Sequence, residues 1–190
     1  MKYFEIASGF KSKGINLFTT KDFEQISGLG QASAWVALAR YCRKGLIENP
    51  KRGLYYLAEQ PPHDYLLANK IYTPSYISFE TVLSYHSIIP EVVYSITSAT
   101  TKITREFKHK GKTFKYLKIK TSSFTGYLKK EDYLIADPEK ALADYLYFVS
   151  LGKKTLNERL NINKLNMKKL KEYTSLFKNK SLNQFIKNYD

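Results

Sequence analysis

The chain is poor in sulfur and poor in acid. A single cysteine, Cys42, excludes an internal disulfide framework. The three histidines, His63, His86 and His109, fall in separate stretches. With one cysteine they make no zinc-ligand spacing and give Cys42 no evident base, so Cys42 reads as a small apolar filler and no metal site is expected. No apolar run approaches the roughly 20 residues that a bilayer crossing needs, so no membrane partner is expected. Met1–Glu5 carries Lys2 and no apolar h-region, so no signal peptide is expected and a reducing cytoplasm is the simple reading. There is no Walker-type phosphate loop and no Gly-x-Gly-x-x-Gly, so no cofactor is expected. The shortage of acid says most: 17 Asp and Glu stand against 31 Lys and Arg, a net charge of +14. That balance points to a polyanionic partner. With 43% apolar and 15% aromatic residues in 190, the chain can bury real cores as one or two domains.

The stretch that organises the chain is Gln31–Lys44. It contains no Pro or Gly, is rich in Ala, and is followed by Gly45 where a terminating glycine belongs. Arg43 and Lys44 sit in its last turn, favourable at the negative end of a helix dipole. Thr20 is a cap for a preceding helix over Lys21–Ser27, and Gly28-Leu29-Gly30 makes the turn between the two. Downstream, Leu46-Ile47 and Leu54–Leu57 are β-type runs around a loop, Glu48–Gly53, that carries Lys51 and Arg52. This order of parts predicts a winged helix-turn-helix. Ala34, Leu38 and Tyr41 form the packing stripe against Phe23 and Ile26, while Gln31, Ser33, Trp35, Ala37, Arg40 and Lys44 fall off it. In such a unit the start of the second helix meets base edges. Gln31 and Ser33 are therefore base-reading candidates, and Arg40, Arg43, Lys44, Lys51 and Arg52 suit phosphates. Trp35 has two readings of equal weight, contact with a thymine methyl or sugar and packing against the wing. A small structural unit used for protein contacts is the alternative to DNA binding.

Residues 2–13 look helical, with Gly14 as terminator, and Ile15–Phe18 is a short extended lead. Glu59-Gln60-Pro61-Pro62 marks a domain boundary, giving domains 1–60 and 61–190. Beyond it, Asp64–Lys70 is a short helix and Tyr76-Ile77 is extended. Ser78 is an N-cap for a helix over Phe79–His86, and Val92–Thr97 reads as a strand. Thr101–Phe107 and Lys112–Ile119 flank a Lys110-Gly111 turn, with Phe107 facing Phe114 and Arg105 facing Tyr116. Six lysines, Lys108, Lys110, Lys112, Lys115, Lys118 and Lys120, crowd this hairpin. They are either a solvated edge or a second nucleic-acid contact. Asp137-Pro138-Glu139 opens a helix running to about Ser150, with Ala141, Leu142, Tyr145, Leu146 and Val149 on its apolar face. In the Lys- and Asn-rich tail, two amphipathic helices are expected. Met167–Phe177 turns Leu170, Tyr173 and Phe177 inward, and Ser181–Lys187 turns Leu182, Phe185 and Ile186 inward. From Lys153 onward ten cations stand against three acids.

Asp137, Glu139 and Asp144, joined by Glu80, are the residues a metal-dependent nuclease would need to bring together. The helix-start reading explains Asp137 and Glu139 without a metal. No catalytic residue is expected, and an RNA-binding module built on the hairpin and tail lysines is a further alternative.

Several segments carry a resemblance. They are Tyr76-Ile77-Ser78-Phe79-Glu80-Thr81-Val82-Leu83-Ser84-Tyr85-His86, Ile88–Ser98, Thr100-Thr101-Lys102, and Ile135-Ala136-Asp137-Pro138-Glu139-Lys140-Ala141-Leu142-Ala143-Asp144. With Lys44-Gly45-Leu46-Ile47 and Arg52-Gly53-Leu54-Tyr55, they resemble the AbiEi-type antitoxins, transcriptional regulators of bacterial abortive-infection toxin–antitoxin systems. The resemblance covers most of residues 15–150 and leaves out the tail. It implies an amino-terminal domain that binds inverted repeats in double-stranded DNA at its own promoter and represses the operon. It implies a carboxy-terminal domain that supplies antitoxin activity and helps bind DNA. The partner toxin would be a nucleotidyltransferase, counteracted without a stable complex. Gln31, Ser33, Arg40, Arg43 and Lys44 map to the recognition helix and Lys51 and Arg52 to the wing. The expected fold is α+β: an N-terminal winged helix-turn-helix, then a mixed α/β antitoxin domain with a β-hairpin core and C-terminal helices.

Overall fold

The computed structural model describes residues 2–187; Asp190, one of the three tail acids, lies outside them. It is a mixed α+β structure in two compact units that divide between Ile71 and Tyr72.

The first unit begins with α1 (Tyr3–Ser12), β1 (Phe18–Thr19) and α2 (Thr20–Ser27). It continues with α3 (Gln31–Arg43), β2 (Ile47–Lys51), β3 (Leu54–Leu57) and α4 (Asp64–Ile71). The three strands form an antiparallel sheet in the order β1-β3-β2. The core is an aromatic and aliphatic cluster of Ile6, Phe10, Phe18, Phe23, Leu38 and Tyr41. The rings of Phe10 and Phe18 stack with centroids 4.0 Å apart. Gly9 lets α1 and α2 approach, because a Cβ there would lie 2.9 Å from Ile26 Cγ2.

Two local expectations are corrected. Thr19, not Thr20, caps α2: its amide donates to Asp22 Oδ2 at 2.7 Å and its hydroxyl accepts from the Asp22 amide at 3.3 Å. The reason is spacing, since Thr19 stands three residues before an acid that can answer it. The expected loop Glu48–Gly53 is mostly strand. β2 runs through Pro50, and only Arg52-Gly53 turns. Pro50 donates nothing, and the register slips between Glu48 and Lys51. The Asn49 side chain bridges the gap by donating to the carbonyls of Lys51 and Leu54 at 2.7 and 2.8 Å. The first compact unit extends past the Pro61-Pro62 link to Ile71. Leu67, Ala68 and Ile71 of α4 are buried, and the Lys51 ammonium donates to the Ile71 carbonyl at 2.8 Å.

The second unit contains β4 (Ser75–Ile77), α5 (Glu80–Tyr85), β5 (Ser95–Thr100), β6 (Arg105–His109) and β7 (Lys112–Lys118). It continues through β8 (Tyr127–Lys130), β9 (Tyr133–Ala136), α6 (Pro138–Ser150), α7 (Met167–Ser175) and α8 (Lys180–Lys187). The six strands make one mixed sheet in the order β6-β7-β5-β4-β9-β8, with β5–β7 and β4–β9 parallel. Phe107 pairs with Phe114 and Arg105 with Tyr116, the register the sequence predicts. Lys110 and Gly111 both take positive φ, +47° and +74°, as a two-residue turn between twisted strands requires. The hairpin is not the core of the sheet, however. β6 is an edge strand, and the middle is built by strands paired across long stretches of sequence.

α6 is buried on nearly every side, from Glu139 to Leu146. Its Lys140 and Asp144 are sealed from solvent and ion-paired to each other. Asp144 Oδ2 also accepts from the hydroxyls of Ser78 at 2.7 Å and Tyr76 at 3.0 Å. The Lys140 ammonium faces the Phe177 ring at 4.8 Å from its centroid. Ser78 therefore does not cap α5 as expected, because a buried carboxylate binds its hydroxyl more strongly than a helix amide would. Phe79 takes the cap position instead at φ +56°, a conformation that packing must hold. In the tail, Leu170, Phe177, Leu182 and Ile186 are buried as the periodicity predicts, while Tyr173 and Phe185 are only half-buried.

Candidate nucleic-acid interface

α3 is held at both ends by glycines and backbone bonds, which leaves its outer surface free of structural duty. Gly28 takes φ +66° and its amide donates to the Glu24 carbonyl at 2.9 Å, ending α2. α3 starts after Gly30 with no side-chain cap, and its first internal bond runs from the Ala34 amide to the Gly30 carbonyl at 2.9 Å. At the other end the Leu46 amide donates to Tyr41 and the Gly45 amide to Cys42, both at 3.0 Å. That pair of bonds is a Schellman closure.

Side chains sort around α3 by helical angle. Ala34, Ala37, Leu38 and Tyr41 are buried against the core. Ala37 is thus a packing residue, although the sequence reading sets it off the stripe. It lies three residues from Ala34 and four from Tyr41, and an alanine is too short to reveal which way it faces. Diametrically opposite run Ala32, Val36, Ala39 and Arg43, all exposed. Gln31 and Trp35 flank that line on one side, and Ser33, Arg40 and Lys44 on the other. No Asp or Glu occurs between Gln31 and Lys44.

All eight residues singled out from sequence, Gln31, Ser33, Trp35, Arg40, Arg43, Lys44, Lys51 and Arg52, are exposed. Trp35 is 55% exposed, so the hairpin does not seal it. Val36, 68% exposed, is the residue that sequence reasoning passes over. Its signal is nonetheless present, since Ala32, Val36 and Ala39 repeat at i, i+4 and i+7 opposite the packed stripe. With Leu29, Ser33 and Arg40 it lines a shallow groove of about 440 Å³ along the helix. The Arg40 guanidinium lies 5.0 Å from the centroid of the Tyr41 ring and donates to its hydroxyl at 3.3 Å, which restrains it beside that groove. The two hairpin cations differ. Lys51 spends its ammonium on the end of α4, while Arg52 stands in the turn. Burial pushes the Cys42 thiol up, and the nearby Glu48 carboxylate adds to that, so Cys42 holds its proton.

The four carboxylates considered for a metal are each engaged by other groups of the chain, Lys169 reaching both Asp137 and Glu139. Glu80 pairs with Lys154, and Asp144 with Lys140. Asp137 accepts from the Tyr173 hydroxyl at 2.8 Å and from Lys169 at 2.6 Å. Glu139 accepts from the Asn166 amide at 3.0 Å. Among the described residues no three His, Cys, Asp or Glu come together as metal ligands would. Also among the described residues, no helix is long and apolar enough to cross a membrane.

These elements define a small α+β unit that turns a cation-flanked, acid-free helix and a short hairpin outward. Residues 10–58, from the end of α1 through β3, match the family described as "Transcriptional regulator, AbiEi antitoxin". Two of the motifs that carry the resemblance, Lys44–Ile47 and Arg52–Tyr55, lie within the matched residues, and the second-unit segments lie outside them. No curated protein matches the chain.

Proposed function

We propose that the first unit is a winged helix-turn-helix that reads double-stranded DNA, and that the protein is the antitoxin and autorepressor of a toxin–antitoxin operon. The observation that carries this reading is the outer face of α3, exposed along its length and without an acid from Gln31 to Lys44. α3 lies in the major groove with Gln31 and Ser33 toward base edges. Arg40, Arg43 and Lys44 meet phosphates, and the β2–β3 hairpin sets Arg52 against the adjoining strand. The second unit supplies the antitoxin activity against a nucleotidyltransferase toxin without a stable complex, and its exposed lysines on β6 and β7 add a sequence-independent attraction to DNA.

Binding of the full chain to duplexes from upstream of its own gene tests the reading, by fluorescence anisotropy over a range of salt. Affinity is expected to fall linearly in log–log form, each phosphate contact releasing about 0.9 counterion. Arg43→Ala is expected to weaken promoter and random duplexes alike, whereas Gln31→Ala relaxes choice at one position by about 1–3 kcal/mol. Equal affinity of the wild-type chain for promoter and random DNA would overturn the proposal.

A further inference from the structure

We infer that α3 recognises thymine through its 5-methyl groups, with Val36 as the central contact and Ala32, Trp35 and Ala39 around it. The inference rests on the DNA-reading role proposed above and goes on to name the chemistry that role selects. The most outward line of the helix carries three small apolar side chains and then Arg43. A base-reading surface normally offers amide, guanidinium or carboxylate groups to base edges, and each is matched to a donor or acceptor pattern. Here Gln31 and Ser33 are the side chains in the first two turns that can both donate and accept hydrogen bonds, the Trp35 indole N–H being a donor only, and both lie at the margins of the outward line. What the helix presents at its centre is apolar surface, aliphatic at Val36 and aromatic at Trp35, which are 68% and 55% exposed. In the major groove the matching apolar feature is the 5-methyl of thymine.

The cations frame that surface and argue for a nucleic acid over a protein as its occupant. Arg43 continues the same line, Arg40 and Lys44 border it, and no acid interrupts it. A protein partner would need an acidic rim around an apolar anchor. A duplex supplies phosphates on both sides of a groove floored with bases and methyls. The side chains are also the right size, since Ala and Val allow the helix backbone to come close to the base edges.

Thymine and uracil pair identically and differ by one methyl, so the test uses that substitution. The full-length protein first selects its preferred duplex from a random pool at about 150 mM salt. The enriched duplex is then made with thymine and with deoxyuridine at the core positions, and binding is compared by anisotropy. The wild-type chain is expected to bind each deoxyuridine-substituted site roughly fourfold more weakly per contacted thymine, the effect of one buried methyl. Val36→Ala is expected to bind the thymine duplex more weakly and to lose most of that preference. The variant keeps α3 intact because alanine is the better helix former. Equal affinity for thymine and deoxyuridine duplexes, with specific binding retained, overturns this inference and leaves the DNA-reading role standing. An unaltered preference in Val36→Ala overturns the assignment to this face. A pool that yields no enriched sequence overturns the DNA-reading role itself, and this inference with it.

Discussion

Replacing Lys140 by methionine is expected to be the most damaging single change in the second unit. Lys140 and Asp144 are both fully buried, and each is the other's countercharge. A methionine side chain fills a similar volume but leaves the Asp144 carboxylate with two hydroxyl donors, Ser78 and Tyr76. Breaking a buried pair on one side costs about 3–5 kcal/mol, a large part of the roughly 5–15 kcal/mol that holds a domain folded. Burial already raises the Asp144 carboxyl above its ordinary range, with the ammonium of Lys140 opposing that rise. Without the ammonium the carboxyl rises further. A carboxyl raised in the folded state favours folding below its unfolded value, near 3.9, and that advantage is lost as pH climbs through the folded value. The deficit of Lys140→Met is therefore expected to be full at about pH 7 and to shrink toward about pH 4. Adding Asp144→Asn, which keeps an acceptor for Ser78 and Tyr76 but no charge, should recover most of the loss at pH 7. Urea unfolding by circular dichroism measures these differences. Trp35, the sole tryptophan, reports the first unit by fluorescence, and that transition is expected to stay in place. A loss below about 1 kcal/mol for Lys140→Met, or a double variant no more stable than the single, would refute the reasoning.

The hairpin cations should separate by assay. Lys51→Ala is expected to cost about 1 kcal/mol of stability, because its ammonium serves the carboxyl end of α4, and to change DNA affinity little. Arg52→Ala should do the reverse and lower the salt slope by about one contact; matching effects in both assays would contradict this division. The Tyr56 phenol is pushed up to about 12 by burial and then by the carboxylates of Glu48 and Asp64. Its unfolded value is near 10, so the folded first unit holds a proton that the unfolded chain releases. Stability from Tyr56 is intact below about pH 10 and is lost as pH rises to about 12. Tyr56→Phe should flatten that alkaline decline when unfolding is followed through Trp35, and an unchanged decline would count against it.

Elements whose signals are local are legible in the sequence. The α3 terminus at Gly45, the Lys110-Gly111 turn with its register, and the Asp137-Pro138 start of α6 each depend on a few adjacent residues. What escapes depends on distant partners. β8 and β9 have no expectation in the sequence, and the hairpin is the edge of a sheet rather than its core, because the parallel pairs β5–β7 and β4–β9 join segments with no mutual signal along the chain. Asp144 shows the same effect within a helix. Periodicity gives α6 an apolar face, yet Lys140 and Asp144 are as buried as Leu142, and their mutual ion pair together with the hydroxyls that Ser78 and Tyr76 bring from β4 and its exit makes that tolerable.

Charge illustrates the limit most sharply for the candidate site. The +14 surplus prompts the search for a polyanion, but it does not point to α3. The first unit holds ten Lys and Arg against six Asp and Glu, leaving twenty-one against eleven in the second. Judged by net charge alone, the second unit is the stronger candidate to bind DNA. The two observations are reconciled if attraction and selection are separate duties. A diffuse positive field raises the local concentration of any duplex and weakens quickly with salt. Selection needs a rigid element of groove width, with side chains that differ in their fit to different bases. α3 has those properties: its ends are closed by backbone bonds, its inner side is locked into the core, and its outer side carries apolar and amide groups within a border of arginine and lysine. On this argument charge reversals in the β6–β7 hairpin should lower affinity for all duplexes without changing which is preferred, while changes at Gln31 or Val36 should alter preference.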